Sequence, residues 1–136
     1  MQILIVEDSN TSRMYLEEVL KDITQNLDAN IESAASGEEA LKKVQRKWLE
    51  GVPCELIFMD IILPGMDGLQ TLEKIRALEN EKHIPEEKKI KAIMTTSLDD
   101  STKASRAFFQ CEAISYITKP ISAEKIQMEL SKFGMI

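Results

Sequence analysis

Five short apolar runs punctuate this chain, and a stretch of helical period follows each of them. The runs are Ile3-Leu4-Ile5-Val6, Ile31 to Ala35, Leu56-Ile57-Phe58-Met59, Ala92-Ile93-Met94 and Ile114 to Thr118. Most are continuous rather than alternating, the pattern of strands covered on both faces in a parallel sheet. The second run is interrupted by Glu32 and Ser33. Between and after the runs, apolar residues recur at helical spacing. Leu16, Val19, Leu20 and Ile23 make one stripe, Leu41, Val44 and Trp48 a second, and Leu69, Leu72 and Ile75 a third. Ala104, Ala107, Phe108 and Cys111 make a fourth, and Ile126, Leu130 and Phe133 a fifth. Each predicts an amphipathic helix. Ser36 reads as an N-cap with Glu39 at N3, Asp99 and Asp100 stand where the fourth helix needs a cap, and Ser122 caps the fifth. Strict alternation predicts a (βα)₅ chain, with a parallel sheet, helices on both faces and right-handed crossovers.

With 136 residues, the chain has room for one domain, spanning residues 1–136, at about 150 residues per domain. No apolar run approaches the roughly 20 residues of a membrane span. The first residues lack a basic segment and reach Glu7-Asp8 at once, unlike a signal peptide. A net charge of −6 argues against bulk nucleic-acid binding, which needs a basic footprint. Cys54 and Cys111 are far apart and in no metal-ligand spacing, which suits a reducing, cytoplasmic setting and buried small hydrophobes. The seven methionines read as core filler, and Trp48 as a packing residue at the end of its stripe. The single histidine, His83, falls in a mixed-charge stretch from Glu79 to Lys89, read as a solvated loop entering the fourth strand. Chemistry that needs a histidine pair is excluded.

Ligand chemistry in such a sheet belongs at the carboxyl ends of the strands. There the chain presents Glu7-Asp8 after the first strand and Asp60 after the third. Thr95-Thr96-Ser97 follow the fourth and Thr118-Lys119-Pro120 the fifth. Three crowded carboxylates repel one another unless a cation intervenes. Lys119 supplies one positive charge, and oxygen ligands without Cys or His favour a hard divalent ion such as Mg²⁺. A carboxylate nucleophile beside a metal, a lysine and a hydroxyl is a phosphoryl-transfer arrangement.

Glu7-Asp8, Asp60 with the following Ile61-Ile62-Leu63-Pro64-Gly65-Met66-Asp67-Gly68, Thr96 and Lys119-Pro120 together resemble the receiver domain of two-component response regulators. The likeness runs from Ile3 to about Phe133. It implies a flavodoxin-like, doubly wound five-stranded sheet of order 2-1-3-4-5. It also implies that Asp60 accepts a phosphoryl group from a phosphohistidine on a sensor histidine kinase or phosphotransfer protein. Glu7, Asp8, Asp60 and the backbone carbonyl of Ile62 would hold Mg²⁺, and Lys119 would pair with the acyl phosphate. Thr96 would turn inward to a phosphoryl oxygen, and Tyr116 would be the aromatic switch that follows it. Pro120 would follow a cis peptide bond. Ile62 and Leu98 match positions that tune the lifetime of the phosphoryl group. The output face would be the fourth helix, fifth strand and fifth helix, presented to a downstream protein by a monomer or a phosphorylation-linked dimer. Three positions depart from the commonest pattern: Glu7 replaces an Asp, Glu112 a Gly and Ile121 a Phe.

Other readings of the same architecture fare less well. A flavodoxin-like cofactor binder needs a Ser/Thr/Gly loop after the first strand to cradle phosphate, and here that loop opens with two acids. An aspartyl phosphatase of the haloacid type needs an Asp two residues after its nucleophile, where this chain has Ile62; catalysis is expected only of its own phosphoryl transfer and slow loss. The native-looking start and the end after the fifth helix suggest a stand-alone chemotaxis-like receiver, with a receiver cut from a longer regulator or hybrid kinase as the alternative.

Overall fold

The computed structural model describes residues 1–97, 105–106 and 110–136. Its strands are β1 (Gln2–Val6), β2 (Asn30–Ala34), β3 (Leu56–Asp60), β4 (Lys91–Thr96) and β5 (Ser115–Thr118). All pair in parallel, in the order β2-β1-β3-β4-β5. The α-helices with defined bounds among the described residues are α1 (Asn10–Ile23), α2 (Gly37–Leu49), α3 (Gly68–Glu81) and the C-terminal α4 (Ala123–Lys132), and one 3₁₀ turn covers Glu86–Lys88. The helix expected over Ala104, Ala107 and Phe108, and its caps Asp99 and Asp100, lie outside the described residues. Ser105, Arg106 and Gln110 are helical. The arrangement is the doubly wound, flavodoxin-like one expected.

Continuous apolar runs make this sheet because each strand must feed two cores. Leu4 and Val6 of β1 and Ile57 and Met59 of β3 face one side, where α2 and α3 pack through Val44, Leu72 and Ile75. Ile3, Ile5, Leu56 and Phe58 face the other, against Leu16 and Leu20 of α1 and Ile126 and Leu130 of α4. Side chains alternate in direction along a strand, so a one-sided strand would leave one of these cores empty. Each fully buried Leu, Ile or Phe is worth about 1.5–3 kcal/mol, so neither face is dispensable.

The caps set where each helix leaves the carboxyl edge of the sheet. Ser9, rather than Asp8, caps α1 by accepting from Ser12 N–H, which leaves the Asp8 side chain exposed and free of that duty. Ser36 caps α2 as expected. Asp67 and Gln70 form a reciprocal capping box on α3. Gly68 is required at the next position: a Cβ there would stand 2.2 Å from the Asp60 carbonyl oxygen. That close approach presses the α3 N-terminus onto the end of β3.

Four expectations need correction. β2 ends at Ala34, and its polar centre is tolerated on this edge strand because Glu32 pairs with Lys47 at 2.8 Å and Arg46 at 2.6 Å. The stretch from Glu79 to Lys89 is not wholly loop. α3 runs on to Glu81, and Glu79 is fully buried, accepting from Ile90 N–H at 2.7 Å and pairing with Arg76 at 2.7 Å. His83 lies beyond the helix, exposed, with φ of 55°. Met59 and Met94 are core, but Met14 and Met128 are exposed, so core filling explains only part of the methionine content. Phe133 is the C-cap residue of α4 and partly exposed, because the helix ends at Lys132 and the stripe is not carried a further turn. Cys54 and Cys111 are buried as expected, and burial pushes the Cys54 thiol up to about 12.

Candidate functional site

Parallel register brings the selected residues to one edge. The ladder between β4 and β5 continues past its strands, with Lys119 N–H donating to the Thr96 carbonyl at 2.7 Å. Ile61 N–H donates to the Thr95 carbonyl at 3.1 Å, which fixes the end of β3 beside β4. Asp60 is 4% exposed. Its Oδ1 accepts from Ile62 N–H at 3.1 Å and its Oδ2 from Lys119 Nζ at 2.9 Å.

Glu7 lies beside this pair and is 2% exposed. Its Oε1 accepts from Ser9 N–H at 3.2 Å. Its Oε2 is buried without a hydrogen-bond partner, and Lys119 Nζ is 3.6 Å away. Burial, then the neighbouring Asp60, pushes the Glu7 carboxyl up to about 7. Burial opposes the charge on Lys119, but the hydrogen bond and attraction to Asp60, helped by Glu7, outweigh it and hold the ammonium above its ordinary value. Carboxylate oxygens of Glu7, Asp8 and Asp60 all lie within 4.8 Å of one another. An all-oxygen donor set with one buried oxygen that makes no hydrogen bond fits a hard divalent cation.

The remaining expected residues surround this cluster. Thr96 is buried, and its hydroxyl donates to the Ser97 carbonyl at 3.0 Å. Tyr116, on β5, is half exposed. The Lys119–Pro120 peptide is cis. The Ile62 side chain is half exposed beside the Asp60 end of β3, and Leu98 lies outside the described residues. Glu112 adopts φ of 57°, the backbone state that a glycine at that position would take most easily.

Three residues with a bearing on this edge escaped the sequence reading. Arg13 donates to the Glu7 carbonyl at 2.7 Å and also bonds the Asn10 side chain. Glu38 Oε1 accepts from Met66 N–H at 3.0 Å, tying α2 to the loop that carries Ile62. Lys125 donates to the carbonyls of Thr118 at 3.0 Å and Pro120 at 2.9 Å. Only Lys125 left a signal: it occupies the N3 position where a Ser-capped helix favours Glu or Gln.

The acidic cluster does not coincide with the roomiest depression described. A depression of about 360 Å³ lies at the amino ends of the strands, by Gln2, Cys54, Glu55 and Lys91, away from the cluster. A groove of about 320 Å³ does adjoin the site, between Tyr15 and Leu16 of α1 and the Pro120-Ile121 turn.

Residues 3–131 match the response regulator receiver domain family. The chain is 30% identical to the chemotaxis protein CheY-3 of Vibrio cholerae over 132 residues, covering 97% of this chain and 90% of that protein. It is 28% identical to the sensor histidine kinase GacS of Pseudomonas protegens over 135 residues, 97% of this chain but 13% of that protein. The chain therefore spans only a small part of the longer kinases it matches. Its fold superimposes with a TM-score of 0.77 and 22% identity on a structure of the Saccharomyces cerevisiae histidine phosphotransfer protein Ypd1 with the receiver domain of its downstream response regulator Ssk1, covering 98% of this chain and 88% of the matched one.

Proposed function

The chain belongs to the response regulator receiver domain family, and on that premise we propose that it is a phosphorylation-activated switch of a two-component system. Asp60 takes a phosphoryl group from the phosphohistidine of a sensor histidine kinase or a histidine phosphotransfer protein. One observation carries the reading: a nearly buried Asp60 carboxylate, held by an amide on one oxygen and by Lys119 on the other, stands beside a buried Glu7 oxygen with no hydrogen-bond partner.

In the transfer, a carboxylate oxygen of Asp60 forms a bond to phosphorus as the P–N bond of the phosphohistidine breaks. The electron pair of that bond leaves with the imidazole. Ile62 N–H and Lys119 keep the carboxylate oriented, and Lys119 then balances charge on the phosphoryl oxygens. Mg²⁺, held by Glu7, Asp8, Asp60 and the Ile62 carbonyl, supplies further charge neutralisation when bound. Thr96 exchanges its bond to the Ser97 carbonyl for one to a phosphoryl oxygen, and Tyr116 moves inward from its half-exposed position. The face around the fourth helical segment, β5 and α4 changes shape and is presented to a downstream protein.

On this reading the protein is a signalling domain of 1–136 that turns over no external substrate, because no acid stands at position 62 to protonate a leaving group. It acts in the cytoplasm, as a monomer or a phosphorylation-linked dimer, without direct contact to nucleic acid. Among the described residues no helix is long and apolar enough to cross a membrane. A second reading, a receiver that is part of a longer regulator or hybrid kinase, is favoured by the small share of the kinase relatives that the chain covers.

The test is phosphorylation from acetyl phosphate or phosphoramidate with Mg²⁺. The parent gains one acid-stable, base-labile phosphoryl group, and Asp60→Asn gains none. Persistent labelling of Asp60→Asn on a Ser or Thr refutes the assignment.

A further inference from the structure

Lys125 stands in the first turn of α4, three residues after the N-cap Ser122, whose hydroxyl accepts its N–H at 3.2 Å. A cation is out of place there. The N-terminus of a helix carries partial positive charge, and the N3 position after a Ser cap is where Glu or Gln completes a capping box. The Lys125 side chain is exposed, yet its ammonium is turned back toward the chain rather than outward. It folds back over the turn and donates to two carbonyls, those of Thr118 and Pro120. These two residues flank Lys119, whose own ammonium reaches Asp60 Oδ2 at 2.9 Å.

We propose that Lys125 is a positioning residue for phosphoryl transfer: by holding the carbonyls on both sides of Lys119, it fixes the turn from which Lys119 reaches Asp60. The inference rests on the reading of Asp60 as phosphoacceptor. Lys119 is the last residue held by the β4–β5 ladder, through its N–H on the Thr96 carbonyl. Beyond it, α4 begins only at Ala123. The ammonium of Lys125 spans that gap. Small displacements of a charged group at a reacting centre cost rate far more than they cost stability.

The structure separates this role from a plain helix-stabilising one, since the two predict opposite signs for one substitution. Lys125→Glu puts the favoured residue at N3 and the favoured charge at a helix N-terminus; these gains offset repulsion from Glu129 four residues on. The variant is therefore expected to unfold at the same urea concentration as the parent or a higher one. Its phosphorylation from phosphoramidate at saturating Mg²⁺ is expected to be roughly three- to tenfold slower, as is that of Lys125→Gln, with Lys125→Arg recovering most of the rate. The defect should persist in about 0.5 M KCl, where the Debye length is roughly 4 Å and loss of a mere surface charge would be screened. Label confined to Asp60, with Lys125→Glu and Lys125→Gln both reacting at the parent rate, overturns the inference alone. A slow rate that salt restores also overturns it, because a surface field would then be the cause. Label on Asp60→Asn would remove the phosphoacceptor reading and this inference with it.

Discussion

Ile62 stands two residues after Asp60, in the loop that leaves β3. Its N–H is bonded to Asp60 Oδ1, and its side chain is half exposed. Loss of a phosphoryl group from Asp60 needs a water in line with the P–O bond and something to orient it. A branched aliphatic chain cannot do this, so slow self-dephosphorylation is expected. Ile62→Asn should lose label faster than the parent, and Ile62→Asn with Leu98→Glu faster still; a double variant no faster than the parent would acquit both positions. A second prediction concerns Lys47, whose side chain is 1% exposed and pairs with Glu32 at 2.8 Å and with Gln2 Oε1 at 2.7 Å. The hydrogen bond from Lys47, then that from Arg46, overcomes burial and holds the Glu32 carboxyl down at about 2, against an ordinary 4.5. A carboxyl lowered by folding contributes its full stability above pH 4.5 and loses it as pH falls toward 2. Glu32→Gln should flatten that acid limb in urea titrations and cost about 1–3 kcal/mol at neutral pH, since it leaves a buried ammonium short of its charge partner. Lys47→Met should cost less. An acid limb unchanged by Glu32→Gln would show that other carboxylates set it.

At the scale of elements, β5 links the site to the surface. One end of it carries Lys119 to Asp60, and Tyr116 in its middle pairs in register with Met94 of β4 while its ring is half exposed. A shallow groove on the same face is lined by Tyr116, Thr118, Lys125 and Met128. Thr96, whose hydroxyl is turned to the Ser97 carbonyl, is the residue of β4 paired with Thr118. Tyr116→Ala should leave the rate of Asp60 phosphorylation within about twofold of the parent, because the half-exposed ring supplies none of the hydrogen bonds or ion pairs that hold Asp60. It should weaken binding of the downstream protein to the phosphorylated form. Amide exchange on phosphorylation should change around Thr96, Tyr116 and the first turn of α4; changes confined to α1 and α2 would place the output elsewhere.

The whole molecule separates its chemistry from its foundations. Strands and helices run in opposite directions, so the carboxyl ends of the strands hold the cluster while the helices end at the far edge. There Lys82, the C-cap of α3, lies 5.5 Å from the centre of the Trp48 ring near the end of α2. Adding Mg²⁺ should therefore leave Trp48 fluorescence nearly unchanged while raising the thermal midpoint through binding to the folded form. Asp8 neither caps α1 nor packs in the core. Asp8→Asn should be at least as stable as the parent without metal, through relief of repulsion, and should gain less from Mg²⁺. A large loss of stability without metal would give Asp8 a structural duty. A strong Trp48 response would show that the two edges are coupled.

The sequence by itself determined the succession of the described strands and of the helices with defined bounds, since apolar periodicity reports local burial. It also determined which residues meet at the carboxyl edge, because a parallel sheet brings every strand end to the same side. Its local patterns failed where a polar side chain found its partner far along the chain. Glu79 reads as the start of a charged loop, yet Ile90 N–H and Arg76 make it a buried anchor inside α3. Lys47 stands in no motif or stripe, yet Glu32 and Gln2 draw it inside. Only the tertiary structure decided that Glu7 keeps one buried oxygen without a hydrogen-bond partner, and that Lys125 turns back onto the carbonyls around Lys119. Apolar burial is non-directional and can be read from composition along an element. A hydrogen bond or ion pair depends on distance and angle between atoms that only the closed fold brings together.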